Sequence, residues 1–455
     1  MNNEKKKRNG LAFVMTPIAL VVLSLLSGVV YAQSPSLVEA MELTLKQNDE
    51  LLSKQSKLDA DSEQVNQAWA QIKPQLSASY TKGKAWYDTR FAKDQSDNIQ
   101  RLNLTLVQPL YSRKRFLGVD RAELAVAGNQ AQFAMDRETK LIESSQSYLE
   151  VLKFQEAVRI SELELEDHLT RIDQLEAMLD RGLTTKVDVL EAQSRYDVLR
   201  SNLVSNRNEL AVAQKSLGRL LGKVVTEVKP LNADLWQRAQ AILQKDNWTQ
   251  IALNQSANIE VSKRLVELSK MDIDLSKAEH WPEVSLRVSM GDSETYETSV
   301  EQDKKVQIEV NVPIYQGGLV SSRVSAARFM LDSQQHALED QKRFVQFKME
   351  EILSRLEGSI ANIEALQKSK ESNAAYLESA QKGLTFGLRG VFDVLEAKAR
   401  GYDVERRLIF ETYDNIMAQI EFLYLIGKLS PLDVSDYLKD DFNMATLLNS
   451  DATAQ

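Results

Sequence analysis

Cysteine is absent from the 455 residues. That excludes disulfides, thiolate metal sites, a cysteine nucleophile and lipidation at the cysteine of a mature N-terminus. Nothing therefore ties the fold to an oxidising compartment. Histidine is scarce: His168, His280 and His336 lie far apart. No second ligand falls at metal spacing, so they read as surface or packing residues and no metal site is expected. Glycine (17) and proline (8) are few, which suits long uninterrupted helices. Basic residues number 56 against 65 acidic ones, a formal charge of −9 that argues against a nucleic-acid partner. Nucleophile elbow, phosphate loop and convergent acid pair are missing, so neither a catalytic residue nor a cofactor is expected.

The N-terminus has the pattern of a processing segment. Lys5, Lys6, Lys7 and Arg8 precede an uncharged run from Leu11 to Val30, and Val30-Tyr31-Ala32 has the small-residue spacing of a cleavage site. Residues 1–32 are read as a signal peptide, with an exported mature chain beginning near Gln33. Losing four basic residues and one acidic one takes the charge from −9 to near −12. An uncleaved anchor is the alternative, because twenty apolar residues can span a bilayer. Pro17, Gly28 and the cleavage pattern favour removal.

What the chain does contain, it contains twice. Gly182-Leu183-Thr184-Thr185-Lys186-Val187-Asp188-Val189-Leu190-Glu191-Ala192 returns 205 positions later as Gly387-Leu388-Arg389-Gly390-Val391-Phe392-Asp393-Val394-Leu395-Glu396-Ala397. Leu220-Leu221-Gly222-Lys223 likewise returns as Leu425-Ile426-Gly427-Lys428. A period of about two hundred residues is far beyond a solenoid repeat. The chain is a doubled domain: a first repeat over 33–222, a connector over 223–246, a second repeat over 247–428 and a loosely ordered tail over 429–455.

Each half runs helix, strand, strand, helix, helix. Residues 36–72 read as a helix with Ser36 and Glu39 as a capping box, ended by Lys73-Pro74. Strands are expected near 75–87 and 99–109 around a polar loop at 88–98, with Pro109 closing the second. Leu102, Leu104 and Leu106 alternate there with Arg101, Asn103 and Thr105. A long helix to Leu179 follows, about 100 Å if unbroken, and the Gly182 turn opens another to Leu221. In it Leu199, Leu203, Asn206, Leu210, Ala213, Leu217 and Leu220 step by four and three, the spacing of a coiled-coil seam. The second half repeats the order: a helix to His280, strands near 283–292 and 304–313 around a loop at 293–303, closure by Pro313, then helices before and after the Gly387 turn. Ile409, Tyr413, Ile416, Ile420 and Leu423 form the second seam.

Four strands of this length match a tilted transmembrane barrel strand, with an apolar face for lipid and a polar face for a lumen. Four strands cannot close, and open edges in lipid are costly, so a membrane reading demands several copies. A soluble sheet packed on helices has the same alternation, and alternation alone does not decide. Trp86, Tyr87, Tyr111, Trp281, Tyr296 and Tyr315 flank the strands either as interfacial girdles or as packing residues. Arg113-Lys114-Arg115 reads as an interfacial or solvated cluster. The helices far exceed the strands and must pack on one another.

Pro313-Ile314-Tyr315-Gln316-Gly317-Gly318, between an alternating strand and a long helix, resembles a signature of the TolC family of outer-membrane efflux and secretion ducts. The two Gly-Leu turns followed by Asp-Val-Leu and the opening Ser36-Leu37-Val38-Glu39-Ala40 resemble it too. The resemblance implies an α+β membrane protein. In a homotrimer, each subunit gives four strands to a twelve-stranded barrel and its helices to a periplasmic α-barrel. It implies the exit duct of a type I secretion or multidrug efflux system in a Gram-negative outer membrane. A periplasmic adaptor and an inner-membrane transporter would open it at its tip. By the same resemblance Asp393 and Glu396 line a periplasmic constriction, Glu396 standing where the family has Asp. Arg389 and Asp188 tie tips shut, and Gly182, Leu183, Thr184, Gly387 and Leu388 meet the adaptor. Lys186 has no assigned role. Ser112-Arg113 departs from the Gly-Gly signature at the matching junction of the first repeat. From the residues alone, each glycine turn can be no more than a helix C-cap, and Asp188 and Asp393 no more than N-terminal caps. A periplasmic coiled-coil adaptor or scaffold is the competing class.

Overall fold

The computed structural model describes residues 34–89, 92–245, 247–295 and 298–439. The signal segment read at 1–32 lies outside them. Ten α-helices and four strands are present among the described residues. The first repeat holds α1 (Leu37–Gln47), α2 (Asp49–Ala70), β1 (Gln75–Thr89), β2 (Ala92–Ser112), α3 (Arg113–Leu179) and α4 (Lys186–Leu221). A 3-10 turn (Ala233–Gln237) and α5 (Arg238–Leu243) follow. The second repeat holds α6 (Trp248–Gln255), α7 (Ala257–Lys277), β3 (Glu283–Thr295), β4 (Thr298–Asn311), α8 (Leu319–Thr385) and α9 (Val391–Leu425), and then comes α10 (Pro431–Tyr437). No described helix is long and apolar enough to cross a membrane.

The strands form one antiparallel sheet in the order β1-β2-β3-β4. Its register aligns the alternation of all four strands. Ala78 faces Leu104, Leu104 faces Met290, Leu106 faces Val288, and Val288 faces Val306. Leu76, Tyr80, Leu102, Leu286 and Ile308 join them on one largely apolar face, which Gln108, Asp292 and Lys304 share. Ser77, Thr105, Ser289 and Lys305 run across the opposite, polar face, where Arg287 pairs with Glu309 at 3.3 Å.

Several expected boundaries are corrected. The segments read as loops at 88–98 and 293–303 are largely strand: β1 runs to Thr89, β2 starts at Ala92, β3 runs to Thr295 and β4 starts at Thr298. Hairpin pairing carries polar residues that have no strand signal of their own. Pro109 does not close β2; it lies inside it, next to a register shift between Pro109 and Tyr111. A proline lacks the ladder donor and is accommodated at such a bulge. The bulge also places Tyr111 opposite Val284, on the apolar face. Pro313 stands beyond the end of β4 at Asn311.

The helix read over 36–72 breaks at Asn48. Its Oδ1 accepts from the Leu51 N–H (3.2 Å) and its Nδ2 donates to the Leu220 carbonyl (3.1 Å). Its side chain thus substitutes for helical hydrogen bonds. The helix read over 247–280 breaks at Ser256 and ends in a 3-10 turn, Ala278–His280. Each break meets the glycine that ends a coiled-coil helix. Gly222 (φ 67°) abuts the Gln47 carbonyl and Gly427 (φ 68°) the Gln255 carbonyl.

The main core lies where these breaks and helix ends meet. Leu37, Met41, Tyr148, Leu217, Met349, Leu356 and Phe422 are fully buried there. The connector is part of it, since Leu235, Trp236, Ala239 and Ile242 are buried. So is the start of the segment read as a loose tail. Leu429, Val434 and Tyr437 are buried and α10 packs on α1. The rest of that tail, 440–455, lies outside the described residues.

At the junction of sheet and helices the two repeats differ. β2 passes straight into α3, Ser112 Oγ accepting from the Arg115 N–H and donating to Glu283 (2.8 Å). β4 reaches α8 through Gly317 and Gly318, both left-handed (φ 60° and 84°). Left-handed backbone is what the Gly-Gly pair supplies and Ser112-Arg113 has no need of. Arg113 lies over the Trp281 ring (5.2 Å), Lys114 pairs with Glu279 (2.8 Å) and Arg115 donates to the Gln71 carbonyl (2.8 Å). Tyr111, Trp281 and Tyr315 are exposed at this end of the sheet, and Trp86 is exposed toward the hairpin end. Tyr296 and the side chain of Tyr87 lie outside the description.

Candidate functional site: the paired helical tips

The two coiled coils, α3 with α4 and α8 with α9, each end in a turn built the same way. The Gly182 N–H donates to Leu179 O (2.9 Å) and the Leu183 N–H to Met178 O (2.9 Å). The Gly387 N–H donates to Leu384 O (3.1 Å) and the Leu388 N–H to Gly383 O (2.8 Å). Both are Schellman caps with a left-handed glycine, at φ 70° and 72°. A Cβ at either glycine would meet nothing within 4 Å, so backbone conformation alone selects glycine.

The entries into the next helices differ. Thr185 Oγ1 accepts from the Asp188 N–H (3.2 Å). Asp188 Oδ2 accepts from the Thr185 N–H (2.9 Å), Thr185 Oγ1 (2.7 Å) and Thr184 Oγ1 (2.9 Å). The hydrogen bond from the Thr185 hydroxyl, then those from its backbone and from Thr184, hold the Asp188 carboxyl below its usual range. In the second tip Gly390 has no hydroxyl, and only the reverse bond forms, Gly390 N–H to Asp393 Oδ2 (2.8 Å). Asp393 Oδ1 is 4.0 Å from Arg389 Nη1, and Glu396 accepts from Arg400 (2.6 Å). Arg389 folds over Gly383, where a Cβ would lie 2.7 Å from Arg389 Cγ.

Within the subunit, therefore, Asp188 serves its own cap, and Arg389 has Asp393 as its carboxylate among the described residues. Arg389 and Asp188 are not brought together in one chain. Gly182, Leu183, Gly387 and Leu388 are exposed at the two turns, with Thr184 half-buried. Lys186, the first residue of α4, is exposed. A small apolar cluster of Ile172, Leu175, Val189 and Ala192 holds the first tip, and Val391 from the second packs on it. The Arg195 guanidinium over Phe392 (5.4 Å) is a further link between the tips.

Behind the tips lies a polar seam that periodicity did not reveal. Asp167 on α3 accepts from Lys398 (2.8 Å) and from the Tyr402 hydroxyl (2.6 Å) on α9, and Glu164 pairs with Arg406 at 3.5 Å. Burial raises the Glu164 carboxyl against the pull of Arg406. Burial works against ionised Asp167 too, but the hydrogen bonds from Lys398 and Tyr402 outweigh it, and its carboxyl sits below the usual range. His168 is buried beside them. Burial first and the charge of Arg195 next push its imidazole below the ordinary histidine value. Nothing in the sequence marks these side chains as inward-facing.

Comparison with known proteins adds the lineage. The model of the family described as "Outer membrane efflux protein" matches residues 40–223 and 248–428, one span for each repeat. The chain is 25% identical over 432 residues to "Outer membrane protein TolC" of Salmonella enteritidis, covering 91% of this chain and 86% of that one. It is 22% identical over 379 residues to "Alkaline protease secretion protein AprF" of Pseudomonas aeruginosa, covering 80% and 79%. The fold is shared with the CmeC outer membrane channel of Campylobacter jejuni, at a TM-score of 0.74, 13% identity and 90% coverage of both chains. It is shared also with the open-state MtrE outer membrane channel of Neisseria gonorrhoeae, at a TM-score of 0.71, 13% identity and coverage of 88% and 90%. A doubled helix-strand-strand-helix-helix chain with this sheet, these twin tips and this match over both repeats belongs to the outer membrane efflux protein family, the TolC-type channels.

Proposed function

We propose that three copies of this chain close a twelve-stranded barrel and a helical duct. Its periplasmic tips would be held shut until a periplasmic adaptor and an inner-membrane transporter engage them. The family is one of outer-membrane exit ducts for type I secretion or efflux rather than of enzymes, and the duct extends from the outer membrane into the periplasm. The observation that supports closure by several copies is the sheet, and the number three follows the family resemblance. It has one largely apolar face, while β1 and β4 each pair on one side only. About half the residues along each free edge then present unpaired backbone groups. Each such group costs several kcal/mol in lipid, so β4 of one copy must meet β1 of the next. A periplasmic scaffold has no use for such a face, and the relatives are named as outer-membrane and secretion proteins.

At the tips, Asp393 and Glu396 are proposed to ring the axis as a constriction. Like charges there repel one another and attract cations. Arg389 of one copy is proposed to meet Asp188 of the next, competing with Asp393 in its own helix. Gly182, Leu183, Thr184, Gly387 and Leu388 form the surface offered to the adaptor. The test is single-channel conductance of the purified protein in planar bilayers, wild type against Asp393→Ala. A small cation-selective conductance that rises or loses selectivity on substitution supports duct and constriction together. Conductance unaffected by the substitution places the constriction elsewhere, and a folded protein that never inserts refutes the duct.

A further inference from the structure

The twin repeats are covered differently where their last helices end. On α9 and just beyond it, Ile416, Gln419, Ile420, Leu423 and Leu429 are buried. The connector that follows the first repeat lies against them. Its 3-10 turn packs on α9, and Leu235, Trp236, Ala239 and Ile242 share one core with the four apolar members. Gln419 Nε2 donates to the Leu235 carbonyl (3.2 Å). The repeat offset of 205 carries the same five positions back onto Ala211, Gln214, Lys215, Gly218 and Val224. None of these is buried. They line an open groove of about 600 Å³ between α4 and the chain that leaves it. Val224 is 85% exposed where its counterpart Leu429 is 3% exposed.

The covering segment has its own counterpart in the sequence. Asp234-Leu235-Trp236-Gln237-Arg238-Ala239-Gln240-Ala241-Ile242 follows the first repeat, and Asp440-Asp441-Phe442-Asn443-Met444-Ala445-Thr446-Leu447-Leu448 follows the second. Aligned, the aspartate recurs, Phe442 stands for Trp236, Ala445 for the buried Ala239 and Leu448 for the buried Ile242. The tethers match as well. Asp234 stands 12 positions beyond Gly222, and Asp440 stands 13 beyond Gly427. The differences are reciprocal. Asp441 replaces Leu235 on the covering segment, and Lys215 replaces Ile420 on the helix. The groove presents Lys215, Arg219 and Lys223, opposite in sign to Asp440 and Asp441.

We propose that residues 440–448 of one copy fill the α4 groove of the next copy, as the connector covers the matching face of α9 within one chain. It rests on the reading of the protein as a closed ring of three copies. Around such a ring first and second repeats alternate, and each segment that leaves a repeat lies on the repeat that follows. After the first repeat the following one belongs to the same chain. After the second it belongs to the neighbour. Phe442 then takes the place of Trp236 and covers Val224, and Gln214 donates to the Asp441 carbonyl as Gln419 does to that of Leu235. Asp440 and Asp441 meet Lys215, Arg219 and Lys223. The segment is a strap that ties the copies together on the helical part of the duct, independently of the barrel strands.

Two measurements on the full-length protein test the strap. The chain has no cysteine, so an introduced pair reports by itself. Protein carrying Val224→Cys and Phe442→Cys is purified, its oligomeric state is read by light scattering, and it is oxidised and run on a non-reducing gel. A disulfide needs Cα atoms within about 7 Å. Three chains linked in one band, lost on reduction, are the expected result. Neither single variant can link more than two. Thiols consumed with no linked band put the segment on its own chain's groove and overturn the strap. Thiols left free in a protein shown to be trimeric overturn it too and leave the duct standing. A wild type that stays monomeric refutes the three-copy reading and the strap together. The second measurement introduces no cysteine. Asp440→Lys with Asp441→Lys is expected to speed dissociation of the trimer in detergent about tenfold, and adding Lys215→Glu with Arg219→Glu is expected to restore the slow rate. A trimer whose dissociation is unchanged by the first pair, or not restored by the second, overturns the assignment.

Discussion

A single pair of neighbouring substitutions tests whether the apolar face of the sheet meets lipid. Leu104 and Thr105 are adjacent in β2, a strand paired on both sides. Leu104 stands between Ala78 and Met290 on the apolar face and is 41% exposed in the isolated subunit. Thr105 stands between Ser77 and Ser289 on the polar face. An arginine on the lipid face of a barrel costs about 2–4 kcal/mol near the bilayer midplane. For Leu104→Arg that is about a thirty- to thousandfold shift in the folding equilibrium per copy, and a closed trimer carries it three times. Thr105→Arg points into the lumen, has no cation directly opposite, and is expected to stay within about 0.5 kcal/mol of wild type. Both proteins are refolded into lipid vesicles over a urea series, and the folded fraction is read as the heat-modifiable band on a gel. Loss confined to Leu104→Arg supports the assignment. Equal losses, or a larger loss for Thr105→Arg, would refute it, because the two faces would then be equivalent or exchanged.

Other outcomes follow from local geometry. Gly427→Ala places a Cβ 2.8 Å from the Gln255 carbonyl oxygen in a left-handed backbone, whereas Gly387→Ala meets nothing within 4 Å. The first is expected to cost about 2–4 kcal/mol and the second about 1 kcal/mol, read as thermal shifts of the purified protein. His168 has its pKa lowered in the packed state, chiefly by burial. Its contribution is therefore complete above the ordinary histidine value of about 6.5 and is lost as pH falls below it. The thermal midpoint should accordingly fall further between pH 7.5 and 5.5 in wild type than in His168→Gln, and parallel curves would contradict this. Glu164, whose pKa burial raises, acts in the opposite sense at lower pH and is common to both proteins. Thr185→Ala removes the hydroxyl that caps α4, and the amides of its first turn should exchange faster while those beyond Leu203 do not change.

How much was legible in the chain depended on the range of the forces involved. Strand alternation, the four-three seams and the left-handed glycines at 182 and 387 follow from backbone periods and local sterics, which any window of sequence exposes. The breaks at Asn48 and Ser256 were missed. Asn48 is fastened to the Leu220 carbonyl, 172 positions away, and no local signal announces such a partner. The loops expected at 88–98 and 293–303 were misplaced because polar residues join a strand when the opposite strand supplies the ladder. Within the subunit the acids expected at the tips have local partners. Asp188 is bound by Thr184 and Thr185, and Arg389 reaches Asp393. Capping bonds form within three or four residues, whereas a tie between neighbouring tips depends on a second chain.

The sequence by itself determined the duplication, the exported character, the two-faced strands, the long helices and the twin glycine turns. Each of these is a local or repeated property, written in composition, period and identity at a fixed offset. Only the tertiary structure decided that all four strands align their apolar residues on one face, since register belongs to a pair of strands and not to either alone. It also decided which face of α3 is inside. Between Ile160 and Ile172 that face carries Glu164 and His168 while Leu163 and Leu169 point out. A hydrophobic period predicts the reverse. Burial there is set by what α9 brings to the contact, and α9 brings Lys398, Tyr402 and Arg406.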